Sequence, residues 1–322
     1  VNSPRASAVA AGPASGAGPE TYLTWLYAPG DRPAVVAKAL HSGADVVLVD
    51  LEDAVAPQRK AYALAATAEL LSDPRPGPVP VHVRINALAG PLADGELRTL
   101  APLPGLAGLR LPKTGGREEV LRVATAAREA RAAALAPGGS AGADGAPAAP
   151  LGHAATGGVP PLYPLLESAL GIERAYEIAA AHPAVRGLAL GEADLRAELG
   201  VADDAGLAWP RSRAVVAARA AGLSPPAQSV YPDVADLDGL ARSCAAGRAL
   251  GFLGRTAIHP RQLPVIERAF LPSRQEVERA EEIAAAAAAD PGALALPDGR
   301  FVDAAVVAEA HRTLLLARRR TV

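Results

Sequence analysis

Residues 46–53 read Val46-Val47-Leu48-Val49-Asp50-Leu51-Glu52-Asp53. An apolar run of strand length that stops on a cluster of acids is a buried strand delivering charge to one end, as the strands of a parallel sheet do. Working outward, short apolar runs recur at 21–27, 81–86, 108–112, 162–167, 187–191, 226–229 and 254–258, which with Val46–Asp50 makes eight. Between them, 33–42, 58–71, 117–136, 171–181, 209–221 and 236–250 carry apolar residues at helical spacing. Eight strand–helix units in roughly 250 residues predict an α/β fold of the (β/α)8 TIM-barrel type. The alternative is a doubly wound open sheet. Against it, the first strand runs into Ala28-Pro29-Gly30-Asp31-Arg32 and not into a Gly-x-Gly-x-x-Gly turn.

The flanks divide the chain further. Residues 1–20 are Ala-, Gly-, Ser- and Pro-rich and read as a flexible N-terminal tail, with no apolar stretch of signal-peptide character. Residues 21–270 form the predicted barrel domain, and within it 137–160 is a low-complexity Gly/Ala/Pro loop. Residues 271–322 form a C-terminal segment: Ser273 with Glu276 makes a capping box for a helix to Ala289, a turn follows at Pro297-Asp298-Gly299-Arg300, and Asp303 opens a last helix.

The chain has 322 residues, 32 Lys and Arg against 34 Asp and Glu, and a net charge of −2. Interspersed charge without a basic stripe gives no footprint for nucleic acid. No apolar run reaches the roughly 18–20 residues that span a membrane, so no membrane partner is expected. The single cysteine, Cys244, excludes an intrachain disulfide and a cysteine-rich metal site and reads as a small buried hydrophobe. The expected location is the cytoplasm.

Polar groups close the predicted strands: Gly30-Asp31-Arg32, Asp50-Leu51-Glu52-Asp53, Arg84-Ile85-Asn86, Lys113-Thr114, Glu167-Ser168, Glu192-Ala193-Asp194, Tyr231-Pro232-Asp233 and His259-Pro260. In a barrel these ends converge on one mouth, where active sites lie. Glu167 and Asp194 suit a hard divalent cation such as Mg2+, which takes one or two protein carboxylates and keeps several waters. Glu52 and Asp53 suit the holding of metal-bound water; the competing reading is that Asp53 and Asp194 cap helices. Arg84 and Arg32 suit an anionic substrate, or equally a structural ion pair with Asp31, Glu52 or Asp53. Lys113, one of three lysines, reads as a rim lysine in preference to a Schiff-base nucleophile. His259 is either an acid–base group or a partner for local backbone.

Taken in order, Pro29-Gly30-Asp31-Arg32-Pro33, residues 50–57 (Asp50-Leu51-Glu52-Asp53-Ala54-Val55-Ala56-Pro57), Val83-Arg84-Ile85-Asn86, Leu111-Pro112-Lys113, Leu166-Glu167-Ser168, Ala257-Ile258-His259-Pro260 and residues 298–303 resemble the citrate lyase β-subunit-like branch of the HpcH/HpaI aldolase superfamily. The resemblance covers about 22–319. It implies a Mg2+-dependent carbon–carbon lyase, Mn2+ being a possible substitute, that cleaves a 3-hydroxy-acyl-CoA thioester of the malyl-, citramalyl- or citryl-CoA type to an acyl-CoA and a 2-oxo acid. Alternatives within it are a malyl-CoA thioesterase or malate-synthase-like activity, and a citrate lyase β-subunit working on a carrier-protein thioester. It further implies Glu167 and Asp194 as metal ligands, Glu52 and Asp53 as acids around the metal, and Arg84 as the substrate's carboxylate clamp. Asp303 falls on the proton-exchanging acid of a C-terminal lid that closes over an adjacent subunit, which implies a homo-oligomer, a trimer or hexamer. One departure is clear: relatives place an acid directly before the metal-binding Asp, and here the order is Glu192-Ala193-Asp194.

Overall fold

A computed structural model describes residues 21–136, 158–289, 294–295 and 299–321. Seven parallel strands form one sheet: β1 (Thr24–Pro29), β2 (Val46–Asp50), β3 (Val81–Arg84), β4 (Leu106–Leu111), β5 (Leu162–Leu166), β6 (Ala189–Leu190) and β7 (Arg255–Ala257), in the spatial order β6-β5-β4-β3-β2-β1-β7. Each predicted strand but one is thus an observed strand, shortened by a residue or more at most ends. The exception is 226–229, which pairs only through single bridges, Ala189 with Ala227 and Gln228 with Arg255. Pro225 precedes it and Pro226 opens it, and a residue without an N–H cannot extend a ladder. Still, Gln228 N–H donates to the Gly254 carbonyl and Thr256 N–H to the Gln228 carbonyl, so this segment lies between the two edges of the sheet.

Alternation along the strands sets the two faces. On β2, Val47 and Val49 join the large cluster under the helices, with Leu26, Val83, Leu109 and Leu111. Val46 and Leu48 face the other way and pack with Trp25 and Ala227 in a separate inner cluster. Ala227, from the far edge, meets β1 and β2 there because the sheet is curled. Outside it, Gly30, Val36, Leu40, Val49, Thr67 and Leu70 are among the residues lining an apolar cleft of about 200 Å³.

Most predicted helices are present, among them Pro33–Leu40, Lys60–Leu71, Arg117–Leu135, Ala208–Ala220 and Leu237–Ala249. The predicted helix 171–181 is instead two short helices, Ala169–Glu173 and Ala175–Ala179, the first started by Ser168 Oγ accepting from Gly171 N–H. Three helices of eight residues each were not legible in the sequence: Ala93–Leu100, Glu192–Leu199 and Leu263–Phe270. Each spans only about two turns at 3.6 residues per turn, shorter than the window of about 11 residues over which helical periodicity is read. Among the described residues no helix is long and apolar enough to cross a membrane.

The C-terminal segment is a helical hairpin of Arg274–Ala289 and Ala304–Ala317, preceded on the second arm by β9 (Phe301–Val302), which pairs antiparallel with β8 (Leu294–Ala295). The capping box is formed as read: Glu276 N–H donates to Ser273 Oγ at 3.2 Å and Ser273 N–H to Glu276 Oε2 at 2.7 Å. The two helices meet through Ala280 and Ala310, their only buried residues. Arg248 pairs with Glu276 at 2.8 Å, and Arg319 bonds Asp45 and the Thr21 carbonyl at the N-terminal end of the sheet. The expected tail 1–20, nearly all of the loop 137–160, and Pro297-Asp298 of the expected turn lie outside the described residues.

Candidate active site

The C-terminal ends of β2, β3 and β4 carry one connected charge network. Asp50, 1% exposed, accepts from its own turn, Glu52 N–H at 2.9 Å and Ala54 N–H at 3.0 Å, and takes Arg84 Nε and Nη2 at 2.7 Å each. The third nitrogen, Arg84 Nη1, lies 3.1 Å from both Glu52 Oε2 and Asp53 Oδ2. The Glu52 contact is an ion pair without hydrogen-bond alignment, since Oε2 has no hydrogen-bond partner. Burial acts against the Arg84 charge, but the bond to Asp50 and the fields of Tyr27, Asp50 and Glu52 outweigh it and raise its pKa. The ring of Tyr27 lies under the guanidinium at 4.9 Å, and burial pushes its phenol up to about 12. The structural ion pair read from the sequence is present, with Asp50 as its main partner and Glu52 and Asp53 at the third nitrogen.

Lys113 follows β4 with φ of 52°, the one non-glycine residue of positive φ among the described residues. A lysine gains nothing locally from the left-handed region, and such backbone strain gathers at functional sites. Here the turn aims Lys113 N–H at Glu167 Oε2, 2.7 Å away, and brings Nζ to 2.7 Å from Glu52 Oε1. Burial opposes its charge, but the Glu52 bond prevails and raises its pKa, which favours the protonated amine of a rim lysine.

Glu167, 4% exposed, ends β5. Burial, Glu52 and Asp194 push its carboxyl up to about 7, against the Lys113 N–H bond that favours the charged form. Its side chain occupies the space above Gly191, where a Cβ would stand 2.3 Å from Oε1. Asp194 lies in the first turn of Glu192–Leu199, exposed, and forms no ion pair with the described residues. Together Lys113, Glu167, Ser168, Asp194 and Glu198 line a cavity of about 360 Å³. Among the described residues no group of three or more His, Cys, Asp or Glu is arranged to hold a metal. Two mutually repelling carboxylates around a cavity, one in a cradle that only glycine leaves open, fit Mg2+, which needs no more protein ligands than that.

Other expected residues fall elsewhere. Arg32 is exposed at the start of Pro33–Leu40 and pairs with none of the described acids. Asp31 is held by Arg59 at 3.3 Å. His259 caps the turn Pro260–Gln262, its Nδ1 accepting from Arg261 N–H at 3.1 Å, a bond to backbone N–H after Pro260 where the sequence reading expected one to a carbonyl before it. Asp303 is the N-cap of Ala304–Ala317, accepting from Ala305 and Val306 N–H at 2.9 and 3.0 Å, and touches none of the mouth acids of its own chain. The departure Glu192-Ala193-Asp194 also has a structural role. Glu192 is buried and accepts Arg211 Nε at 2.8 Å and Nη2 at 2.6 Å, while Arg211 Nη1 reaches Asp204 at 3.1 Å.

Residues that sequence reading passed over support the acids. Lys60 Nζ donates to the carbonyls of Leu51 and Glu52 and to Asn86 Oδ1, at 2.7, 2.6 and 2.8 Å. Asn86 in turn is held by buried Glu96 through its N–H at 2.7 Å. Asp50 was visible as a strand-end acid, and Lys60 as one of three lysines; Glu96 sits on a helix with no readable signal.

A curled parallel sheet with acids, an arginine and a lysine gathered at its C-terminal strand ends is the arrangement of a metal-assisted α/β enzyme. Residues 23–260 match the HpcH/HpaI aldolase/citrate lyase family, and the chain belongs to that family. It is 30% identical over 314 residues to an L-malyl-CoA/beta-methylmalyl-CoA lyase of Cereibacter sphaeroides, covering 89% of this chain and 91% of that one. It is 33% identical over 302 residues to a (3S)-malyl-CoA thioesterase of the same species, covering 91% and 93%. Among solved structures, CitE of Mycobacterium tuberculosis in complex with magnesium, acetoacetate and coenzyme A superposes with a TM-score of 0.72 at 30% identity, over 93% of this chain and 99% of that one.

Proposed function

We propose that the protein is a Mg2+-dependent carbon–carbon lyase that cleaves a 3-hydroxy-acyl-CoA thioester to an acyl-CoA and a 2-oxo acid. The observation that carries this reading is the cavity between Glu167 and Asp194, bordered by Lys113 and, through Glu52, by Arg84. Glu167 and Asp194 hold the cation; Mg2+ bound there supplies a Lewis acid for the hydroxyl and carboxylate oxygens of the acid half.

The chain's own groups do the rest. Asp50 fixes Arg84 so that Nη1 can meet the substrate carboxylate, with Lys113 adding positive charge. Glu52 and Asp53 hold water. The bond between the α-carbon of the thioester and the hydroxyl-bearing carbon breaks, the hydroxyl gives its proton to the water held by Glu52 and Asp53 and becomes the oxo group, and the thioester enolate takes a proton from the carboxyl group of Asp303, which solvent then reprotonates.

Asp303 belongs, in this reading, to a second copy of the chain. Its own helix is tied at the far end by Arg319 to the N-terminal end of the sheet, about 24 Å away at 1.5 Å per residue. The 271–322 segment is then a lid on a neighbour and the enzyme a homo-oligomer, a trimer or hexamer, of the cytoplasm. Residues 21–270 form a closed (β/α)8 barrel in this reading, supported by the bridges at Ala227 and Gln228 that link β6 to β7.

The test is a Mg2+-dependent assay of malyl-, citramalyl-, β-methylmalyl- and citryl-CoA that follows oxo acid and free thiol separately. Oxo acid with an intact acyl-CoA is expected. Thiol release without carbon–carbon cleavage points to hydrolysis, the activity named for the thioesterase relative. Silence with and without Mg2+ rejects both.

A further inference from the structure

The interior of the curled sheet contains a cation without a counter-charge. Arg110, on β4 three residues before Lys113, is 3% exposed. In register it stands between Arg84 on β3 and Tyr163 on β5. Its guanidinium carbon lies 4.7 Å from the ring centre of Tyr163 and 5.8 Å from that of Trp25. Among the described residues no carboxylate pairs with it, and its Nε has no hydrogen-bond partner. Arg84 and Arg211 are paired with the carboxylates of Asp50 and Glu192, and buried Arg255, also without a carboxylate, has the Ser229 carbonyl and Cys244 Sγ as partners, where Arg110 Nε has none.

Two further orphaned groups belong to side chains packed around Arg110, Trp25 and, across the Tyr163 ring, His82. Trp25 Nε1 is a buried donor without an acceptor. His82, 2% exposed, stacks on Tyr163 at 4.7 Å with its Nδ1 unpartnered. Burial and the nearby Arg110 charge keep that imidazole neutral. Gly108 makes room for the stack, since a Cβ there would stand 2.8 Å from Tyr163 and 3.0 Å from His82.

Aromatic faces offset part of the cost of burying a guanidinium, and water could satisfy its N–H groups, but neither supplies the missing negative charge. The Arg110 and Trp25 N–H groups can only donate, so the ligand that fits them is an acceptor carrying charge. Arg110, Trp25 and His82 are 3%, 8% and 2% exposed, so only a ligand of very few atoms fits among them. We propose that Arg110, with the Trp25 indole N–H and the His82 imidazole, forms a buried site for one small inorganic anion of the size of chloride. Three strand residues separate it from Lys113, about 10 Å, so the ion belongs to the scaffold beneath the catalytic mouth and not to the substrate pocket.

The experiment uses the full chain exchanged into methanesulfonate buffer at constant ionic strength and titrated with chloride, following the 35Cl line width and the thermal midpoint. Saturable line broadening and an upward shift of about 5 °C at saturation are expected, with no such shift from sulfate. Trp25→Phe keeps the ring and removes the N–H, and should weaken chloride binding about tenfold; Arg110→Met should abolish it. A wild-type protein without a saturable chloride response overturns the proposal, as does an equal response in wild type and Trp25→Phe. That comparison decides the matter even where Arg110→Met fails to fold.

Discussion

Glu167 holds its proton up to about pH 7 because burial, Glu52 and Asp194 all disfavour its anion. Below that pH a metal ion must displace the proton, so Mg2+ affinity measured calorimetrically should rise about tenfold per pH unit up to about 7 and then level off. Glu167→Gln should be weak and flat across the range. The same shift sets the stability of the metal-free protein. The carboxyl is raised in the folded state, so its contribution is fully present below the unfolded value near 4.5 and is lost as pH rises through about 7. Thermal midpoints taken with a chelator should fall over that window, and added Mg2+ should cancel the fall. Gly191 acts on the same carboxylate: Gly191→Ala places a Cβ 2.3 Å from Oε1 and should weaken Mg2+ binding about 10- to 100-fold, with little change in a variant already lacking Glu167.

At the scale of elements, the helix Glu192–Leu199 carries Asp194 and is anchored by one buried pair. Arg211→Ala strands Glu192 without its cation, and denaturant unfolding should report a loss of about 3–5 kcal/mol; a loss under 1 kcal/mol would mean the pair contributes nothing. This pairing also accounts for the shifted acid, because Glu192 is held by Arg211 and so is not available to the metal. Strands were legible because their apolar runs are buried on both faces and end on charge. Three of the four helices of eight residues were not, and with Ala93–Leu100 went Glu96, which steadies Asn86 and through it Lys60. Of the residues singled out in the sequence, Glu52, Asp53, Arg84 and Lys113 share one network that Glu167 joins through Lys113 N–H, and Asp194 lines the same cavity as Lys113 and Glu167. What sequence could not convey is the division of Arg84 between Asp50 and the mouth, since that depends on the register Asp50↔Arg84 across two strands.

For the whole molecule, the open matter is where Asp303 acts. If it serves a neighbour's site, Asp303→Asn and Asp194→Ala are each inactive alone, yet refolded together in equal amounts they recover about a quarter of wild-type turnover through sites built from two intact halves. No recovery, in a mixture that size exclusion shows to be a mixed oligomer, places Asp303 in its own subunit's site or outside the chemistry. The sheet itself has a seam. Continuous ladders join its seven strands, whereas residues 227–228 are attached by one bridge on each side. Slow amide exchange should therefore reach its lowest protection in the sheet at Gln228 and Thr256, opening without the rest. A chain cut just before this segment leaves six of the seven strands on one fragment, so two separately made pieces divided near residue 223 are expected to reassemble along that line.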